Sequence, residues 1–399
     1  MVLDSNSLRI GIYVGEGASH SWTWFVDLFE KYGYQRIRFL EEKNFPWKAL
    51  EQDLLIVSGG DTFAVADALA SSGAQTLQAF LKQGGLYVGS CAGAYLPLNS
   101  SKQPLNSFNF VKAKINNLTR DLPPAHRLPL KFSSRYGCSY VFHPVRDEVR
   151  IRMVTDPPVW SGDEIRVPLY GGPPLNLSED VLPRAYYSGF TERTVFLTDP
   201  EIAKDVYLDK IAACEKQIDK GRMLLLGPHF EHPWFPDGNE IIHKWIQQNI
   251  EEKSLKEINK GDNREAFKKR PAPSASGLRA LKLAVSNMRI RAQALARESI
   301  HWQIGAKIYE PEKIVHFLET IWKRLGSKNR LAHGADQACD WEALADRAEA
   351  CHTMLKALDQ QIRDEIDSQE LAIDLFRLLK GLVVSFLEIY FVKESSELT

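Results

Sequence analysis

Residues 85–95 read Gly-Leu-Tyr-Val-Gly-Ser-Cys-Ala-Gly-Ala-Tyr, an apolar run that enters a tight turn with Cys91 at its tip. Gly89 and Gly93 flank that tip because side chains there would collide with neighbouring backbone when a strand turns sharply into a helix. Cys91 is then expected to stand above a sheet edge at the N-terminus of a helix beginning near Ala92. Unpaired N–H groups and the helix dipole at that position favour thiolate over thiol. The competing reading is a tight turn around a buried, inert cysteine, since free cysteine is among the most buried residue types.

A second segment, Gly221-Arg-Met-Leu-Leu-Leu-Gly-Pro-His-Phe-Glu-His-Pro233, repeats the pattern of an apolar run ending in glycine. His229 and Glu231 follow it. In an extended segment, residues two apart point the same way, so Glu231 can hold the imidazole tautomer while the other ring nitrogen takes a thiol proton. A third segment, Ser58-Gly59-Gly60-Asp61, follows the apolar strand Leu54–Val57. Its glycines allow backbone N–H groups to approach a substrate, and with the N–H of Ala92 they make an oxyanion hole. Asp61 reads as the N-cap of a helix over Thr62–Ala70.

These pieces, with Ile12–Ser19 and Tyr170-Gly171-Gly172-Pro173, resemble the class I glutamine amidotransferase-like superfamily. Within it the chain is most similar to the amidotransferase-like domain at the N-terminus of biotin-protein ligases, over residues 9 to about 250. The resemblance implies Cys91 as nucleophile, His229 as general base, Glu231 as its orienting partner, Gly59, Gly60 and Ala92 at the oxyanion, and Tyr170, Gly171 and Gly172 beside the nucleophile. Two departures stand out. Phe230 occupies the place where amidotransferases usually carry proline between histidine and glutamate, and no Gly-Arg-Gly-Arg-type biotin and adenylate motif occurs, so the chain is not itself a biotin ligase.

The remaining sequence sets the frame. A formal net charge of -1 removes any general electrostatic case for nucleic acid or an anionic membrane, and 44% hydrophobic residues suffice for more than one core. No apolar run is long enough to span a bilayer, and no basic and apolar leader precedes the first strand near Leu8. Five cysteines, at 91, 138, 214, 339 and 351, are odd in number and lack metal-ligand spacing, which fits a reducing, cytoplasmic setting with no metal or organic cofactor.

Strands at Arg9–Val14, Arg36–Leu40, Leu54–Val57 and Leu86–Val88 alternate with helices at Trp22–Tyr32, Thr62–Ala70 and Gln75–Gln83, which predicts a flavodoxin-like parallel α/β sheet carrying the elbow. Residues 97–184 hold Pro-Pro at 123, 157 and 173 and read as an insertion of short strands and loops that shapes a pocket, with His143 structural. The domain expected over 1–250 is followed by a charged, Pro/Ser-rich linker over 251–276. Beyond it, apolar positions such as Ile314, Phe317, Leu318, Ile321 and Trp322 recur at helical spacing. With long helices at Trp341–Ile366 and Glu370–Val392, residues 277–399 predict a separate all-α bundle of about four helices. Such a domain suits docking, homo-oligomerisation or recruitment of a separate acceptor or partner protein.

The reading that follows is a cysteine-dependent amide hydrolase or amidotransferase-like enzyme acting on a small amide-containing substrate. A catalytically silent ligand-binding or regulatory scaffold, and a redox-sensing Cys91, are the alternatives.

Overall fold

The computed structural model describes residues 7–116, 143–154, 164–254, 275–305, 307–326 and 341–391. They fall into two compact units, one within 1–34, 39–259 and 305–307, the other within 35–38, 260–304 and 308–399.

The first unit is built on a 12-stranded mixed sheet. Its strands are β1 Ile10–Tyr13, β2 Ile37–Leu40, β3 Leu54–Val57, β4 Leu86–Ser90, β5 Ala113–Ile115, β6 Val145–Met153, β7 Glu164–Leu169, β8 Leu175–Leu177, β9 Leu182–Phe190, β10 Val195–Phe196, β11 Ile211–Ile218 and β12 Gly221–Leu226. The main path runs β10-β6-β9-β11-β12-β4-β3-β1-β2. Strands β1, β3, β4 and β12 pair in parallel. These strands are apolar and buried almost throughout, as a sheet covered on both faces requires.

On the other side of β12 every pairing is antiparallel, through β11, β9, β6, β7 and β10. The predicted parallel sheet is present in β1, β3, β4 and β12, and the antiparallel strands beyond it make the whole sheet mixed. The insertion and the chain that follows it supply the difference: β6, and β9 that starts at the insertion's end, are nine residues each and extend the same sheet rather than forming a short-strand cap. Their alternating burial marks one covered and one partly solvated face. Pro-Pro at 123 and 157 lies outside the described residues, as does the expected linker between 255 and 274.

The helix over Thr62–Lys82 leaves helical geometry at Ala70 (φ 53°, ψ −164°), so the two helices expected from the sequence meet at a break rather than across a loop. Asp61 caps its start, accepting from the N–H groups of Phe63 and Ala64 at 3.0 and 3.3 Å.

The second unit is helical, with helices over Ala275–Leu295, Glu312–Trp322, Trp341–Arg363 and Gln369–Phe391. It also contains a two-stranded ladder, β13 Trp302–Ile304 with β14 Lys307–Tyr309, of which Lys307 groups with the first unit, where the sequence pattern predicts helix alone. The last helix buries Leu375, Leu379, Leu382, Phe386 and Leu387 along one stripe. No helix among the described residues is long and apolar enough to cross a membrane.

Candidate active site

The register of three adjacent parallel strands sets the site. Val57 of β3 lies opposite Gly89 of β4, and Ser90 of β4 lies opposite Leu226 of β12. The segments beginning Ser58, Cys91 and Gly227 therefore leave the sheet at one level, at the carboxyl ends of their strands. Open α/β sheets bind ligands at such edges.

At the elbow the backbone is packed against itself. A Cβ on Gly93 would lie 1.8 Å from the Val57 carbonyl oxygen, and one on Gly89 would lie 2.3 Å from that of Gly93. Cys91 takes φ 49° and ψ −111°, a conformation a side-chain-bearing residue rarely adopts. It is held there by its own N–H donating to Leu226 O at 2.8 Å and by Gly93 N–H donating to Ser58 O at 3.2 Å.

His229 and Glu231 come together as the sequence predicts, by a different route. Residues 230 and 231 form a turn, not an extended segment, with His232 N–H donating to His229 O at 3.2 Å. Within that turn His229 Nδ1 and Glu231 Oε1 are 2.6 Å apart, and Glu231 is fully buried. Phe230 is compatible with this arrangement: its ring is buried and its carbonyl accepts from Asn239 Nδ2 at 2.9 Å. With Nδ1 committed to Glu231, Nε2 is the ring nitrogen left for Cys91.

The electrostatics of the pair run in opposite directions. Burial alone would raise the Cys91 thiol, but a hydrogen bond and charge interaction with His229, helped by the Lys307 charge, outweigh it and hold the thiol below its ordinary range. Burial would lower His229, yet the Glu231 charge and hydrogen bonds to Cys91 and Glu231 raise it. Both shifts run toward thiolate beside imidazolium.

Ser90 escapes sequence reasoning because nothing in its spacing advertises it. Its hydroxyl lies 2.9 and 2.8 Å from the two Glu231 oxygens, so the residue before the thiol fixes the carboxylate that orients the imidazole. Trp24 is a second such residue. Its ring meets His229 edge-on at 5.3 Å and His232 at 4.4 Å. The run Trp22-Thr23-Trp24-Phe25 is buried at every position, so no periodicity marks which face is functional.

The remaining predicted residues surround this core. A Cβ on Gly59 would stand 2.7 Å from His229 Cε1, so this glycine makes room for the imidazole. Gly60 pairs with Ala18 in an isolated bridge whose bonds are Ser19 N–H to Gly59 O and Asp61 N–H to Gly17 O. Among the described residues neither the Gly60 nor the Ala92 N–H meets an acceptor. The Tyr170 ring lies 5.6 Å from that of His229. Gly171 has φ 102°, a region that favours glycine, and Gly172 O accepts from the Tyr207 hydroxyl at 3.1 Å. Tyr95 donates to Pro173 O at 2.9 Å, tying the same loop to the helix after Cys91. No three His, Cys, Asp or Glu side chains among the described residues converge as a metal site needs.

Comparison with known proteins bears on the first of these segments. Residues 10–103 match the model of the family described as biotin-protein ligase, N terminal. The resemblance covers β1 to the elbow and ends well before His229 and Glu231. No curated protein matches the chain. Among solved structures, a provisionally assigned GMP synthase component from Thermoplasma acidophilum aligns at 12% identity and a TM-score of 0.40, covering 62% of this chain and 98% of that one. A glutamine amidotransferase from Thermotoga maritima aligns at 12% identity and 0.35, covering 63% and 86%. A β-galactosidase from Bacillus circulans aligns at 12% and 0.32, covering 62% and 31%. Similarity at this level carries no argument about function.

Proposed function

We propose that the first unit, with its amidotransferase-like elbow, is a cysteine-dependent amide hydrolase or amidotransferase-like enzyme using Cys91, His229 and Glu231. The observation that carries this reading is the combination of a positive-φ Cys91 at the sheet edge with an imidazole that lowers its thiol and is itself held by a buried carboxylate. A cysteine that merely packs needs none of the three.

In the proposed reaction the Cys91 thiolate adds to the carbonyl carbon of a small amide. The N–H groups of Gly60 and Ala92 take the developing oxyanion, Gly59 leaving room for the imidazole beside them. Imidazolium His229 gives its Nε2 proton to the departing nitrogen as the C–N bond breaks, which leaves a thioester and neutral imidazole. His229 then accepts a proton from water as the water oxygen attacks, and collapse of the second tetrahedral species releases the acid and regenerates the thiolate. Glu231 stabilises the imidazolium at both stages. Tyr170, Gly171 and Gly172 form the neighbouring wall. We assign no organic cofactor or metal to these steps. The helical unit fits recruitment of a separate acceptor or a second copy of the chain, in a cytoplasmic setting.

The test is the pH dependence of Cys91 alkylation, read by peptide mass spectrometry in the native protein and in His229→Ala. A thiol titrating well below about 8.5 with a profile that depends on His229 supports the assignment. An ordinary profile indifferent to His229 removes it and leaves the ligand-binding scaffold.

A further inference from the structure

The hydrogen bond that His229 Nδ1–H donates to Glu231 holds one atom of the imidazole but leaves its plane undetermined. A hydrogen bond keeps most of its strength while its angle stays above about 150°, so a ring tethered at Nδ1 alone can swing its Nε2 out of line with a thiol. Proton transfer between the two needs that line kept.

Two rings close on the imidazole where the bond does not constrain it. Trp24 lies 5.3 Å from His229 with the planes at 88°, and Tyr170 lies 5.6 Å away, tilted by 52°. Trp24 and Tyr170 are 6.2 Å from each other, so the three rings form one cluster. Gly59 closes another approach, since a Cβ there would stand 2.7 Å from His229 Cε1.

Trp24 is itself held in place. It sits in the first turn of the helix Trp22–Lys31, and its N–H donates to Ser21 O at 3.1 Å, while Ser21 Oγ lies 3.4 Å from Gly59 O. Its ring also meets that of His232 at 4.4 Å, and His232 N–H donates to His229 O. The indole therefore braces both the imidazole and the turn that carries it. Trp22, two positions earlier and roughly 200° away around the helix, packs instead on Phe39 at 5.7 Å.

We propose that Trp24 is a positioning residue of the Cys91 site, its indole acting with the Tyr170 ring to fix the plane of the His229 imidazole and keep Nε2 aimed at Cys91. The proposal rests on the reading of Cys91 as nucleophile and His229 as its base, and adds what holds that base in line.

The experiment reads the pH profile of Cys91 alkylation by iodoacetamide in Trp24→Leu, Trp24→Phe, Tyr170→Leu and Trp22→Leu, with denaturant unfolding of each. Trp24→Leu is expected to slow alkylation near neutral pH about fivefold, the scale of one edge-on aromatic contact, and to move the rate-against-pH curve toward that of His229→Ala. Trp24→Phe keeps a ring at the position and should restore most of the rate, while Tyr170→Leu should move the curve the same way by less. Trp22→Leu should lose stability with its curve unmoved. An unmoved profile in Trp24→Leu, an equal shift in Trp22→Leu, or no recovery in Trp24→Phe would each overturn the proposal. Should Trp24→Leu fail to fold, Tyr170→Leu decides from its half-buried loop position, and an unmoved curve there overturns the proposal as well. Failure of the functional reading shows separately, as a wild-type profile that His229→Ala does not change.

Discussion

Two buried cysteines, one in each unit, show how little burial alone decides. Cys351 lies in the core of the helical unit, and burial pushes its thiol up to about 12. Cys91 is nearly as buried, at 7% exposure, yet its thiol is lowered. Cys214 of β11 repeats the first case inside the unit that holds the second, again raised to about 12. The difference is the imidazole: without His229, burial would make Cys91 as inert as the other two. The contrast extends to the buried charges of the two units. In the helical unit Asp359 joins Arg363 of its own helix and Arg291 of another, and Arg289 joins Glu319 across helices at 2.5 Å. Around Glu231 the buried charge points instead at a group able to react.

The largest effect expected of this comparison is selective labelling. At pH 8 a thiol with a pKa of about 12 is roughly one part in ten thousand thiolate, so in native protein Cys91 should be alkylated about a thousandfold faster than Cys214 or Cys351. Peptide mass spectrometry after a timed iodoacetamide pulse measures the ratio, and comparable rates at the three positions would dissolve the distinction.

Next in size is removal of the imidazole. His229→Ala leaves burial at Cys91 opposed only by the smaller pull of the Lys307 charge, so its alkylation near neutral pH should slow about a hundredfold and the rise of the rate with pH should shift to higher pH. In wild type the lowered thiol keeps the rate high until pH falls through its folded-state pKa.

Glu231→Gln should be milder, about tenfold in alkylation, because the imidazole stays in place but loses the charge that raises it. The sign of its effect on stability is fixed. A histidine raised on folding contributes stability that is fully present below its ordinary pKa near 6.5 and is lost as pH rises through the raised value. Glu231→Gln should flatten the alkaline fall in Tm that wild type shows over that window.

The helical unit offers the converse test. Asp359→Leu strands Arg291, and should cost about 2 kcal/mol, less than a fully buried pair because both arginines keep solvent contact. Cys91 alkylation should not change. Denaturant unfolding followed in parallel with alkylation separates the two readouts.

What the sequence discloses follows from how locally each feature is encoded. The elbow is legible because Gly89 and Gly93 answer a backbone contact within a few residues of Cys91. His229 and Glu231 are legible because they stand two positions apart, although the turn that joins them is not the extended geometry the spacing suggests. Ser90 and Trp24 reach Glu231 and His229 through pairings between distant segments, and no local period encodes those. The antiparallel extension of the predicted sheet is not legible for the same reason. Strands β6 and β9 are long but alternate in burial, so from sequence they resemble a peripheral insertion until their pairing is seen.

Ser90 gives the smallest predicted effect. Its hydroxyl donates to a carboxylate that is fully buried and already engaged with His229. Ser90→Ala removes one charge-assisted bond without leaving Glu231 unpaired, so the cost should be about 1–2 kcal/mol of stability, with a fewfold loss in Cys91 alkylation. The two readouts distinguish its roles. If the hydroxyl only packs beneath the elbow, stability falls and the alkylation profile stays where it is. If it aims the carboxylate, the imidazole is held less firmly and the rate-against-pH curve moves toward that of Glu231→Gln. That shift would extend the chain of dependence from a serine hydroxyl through a carboxylate and an imidazole to the thiol.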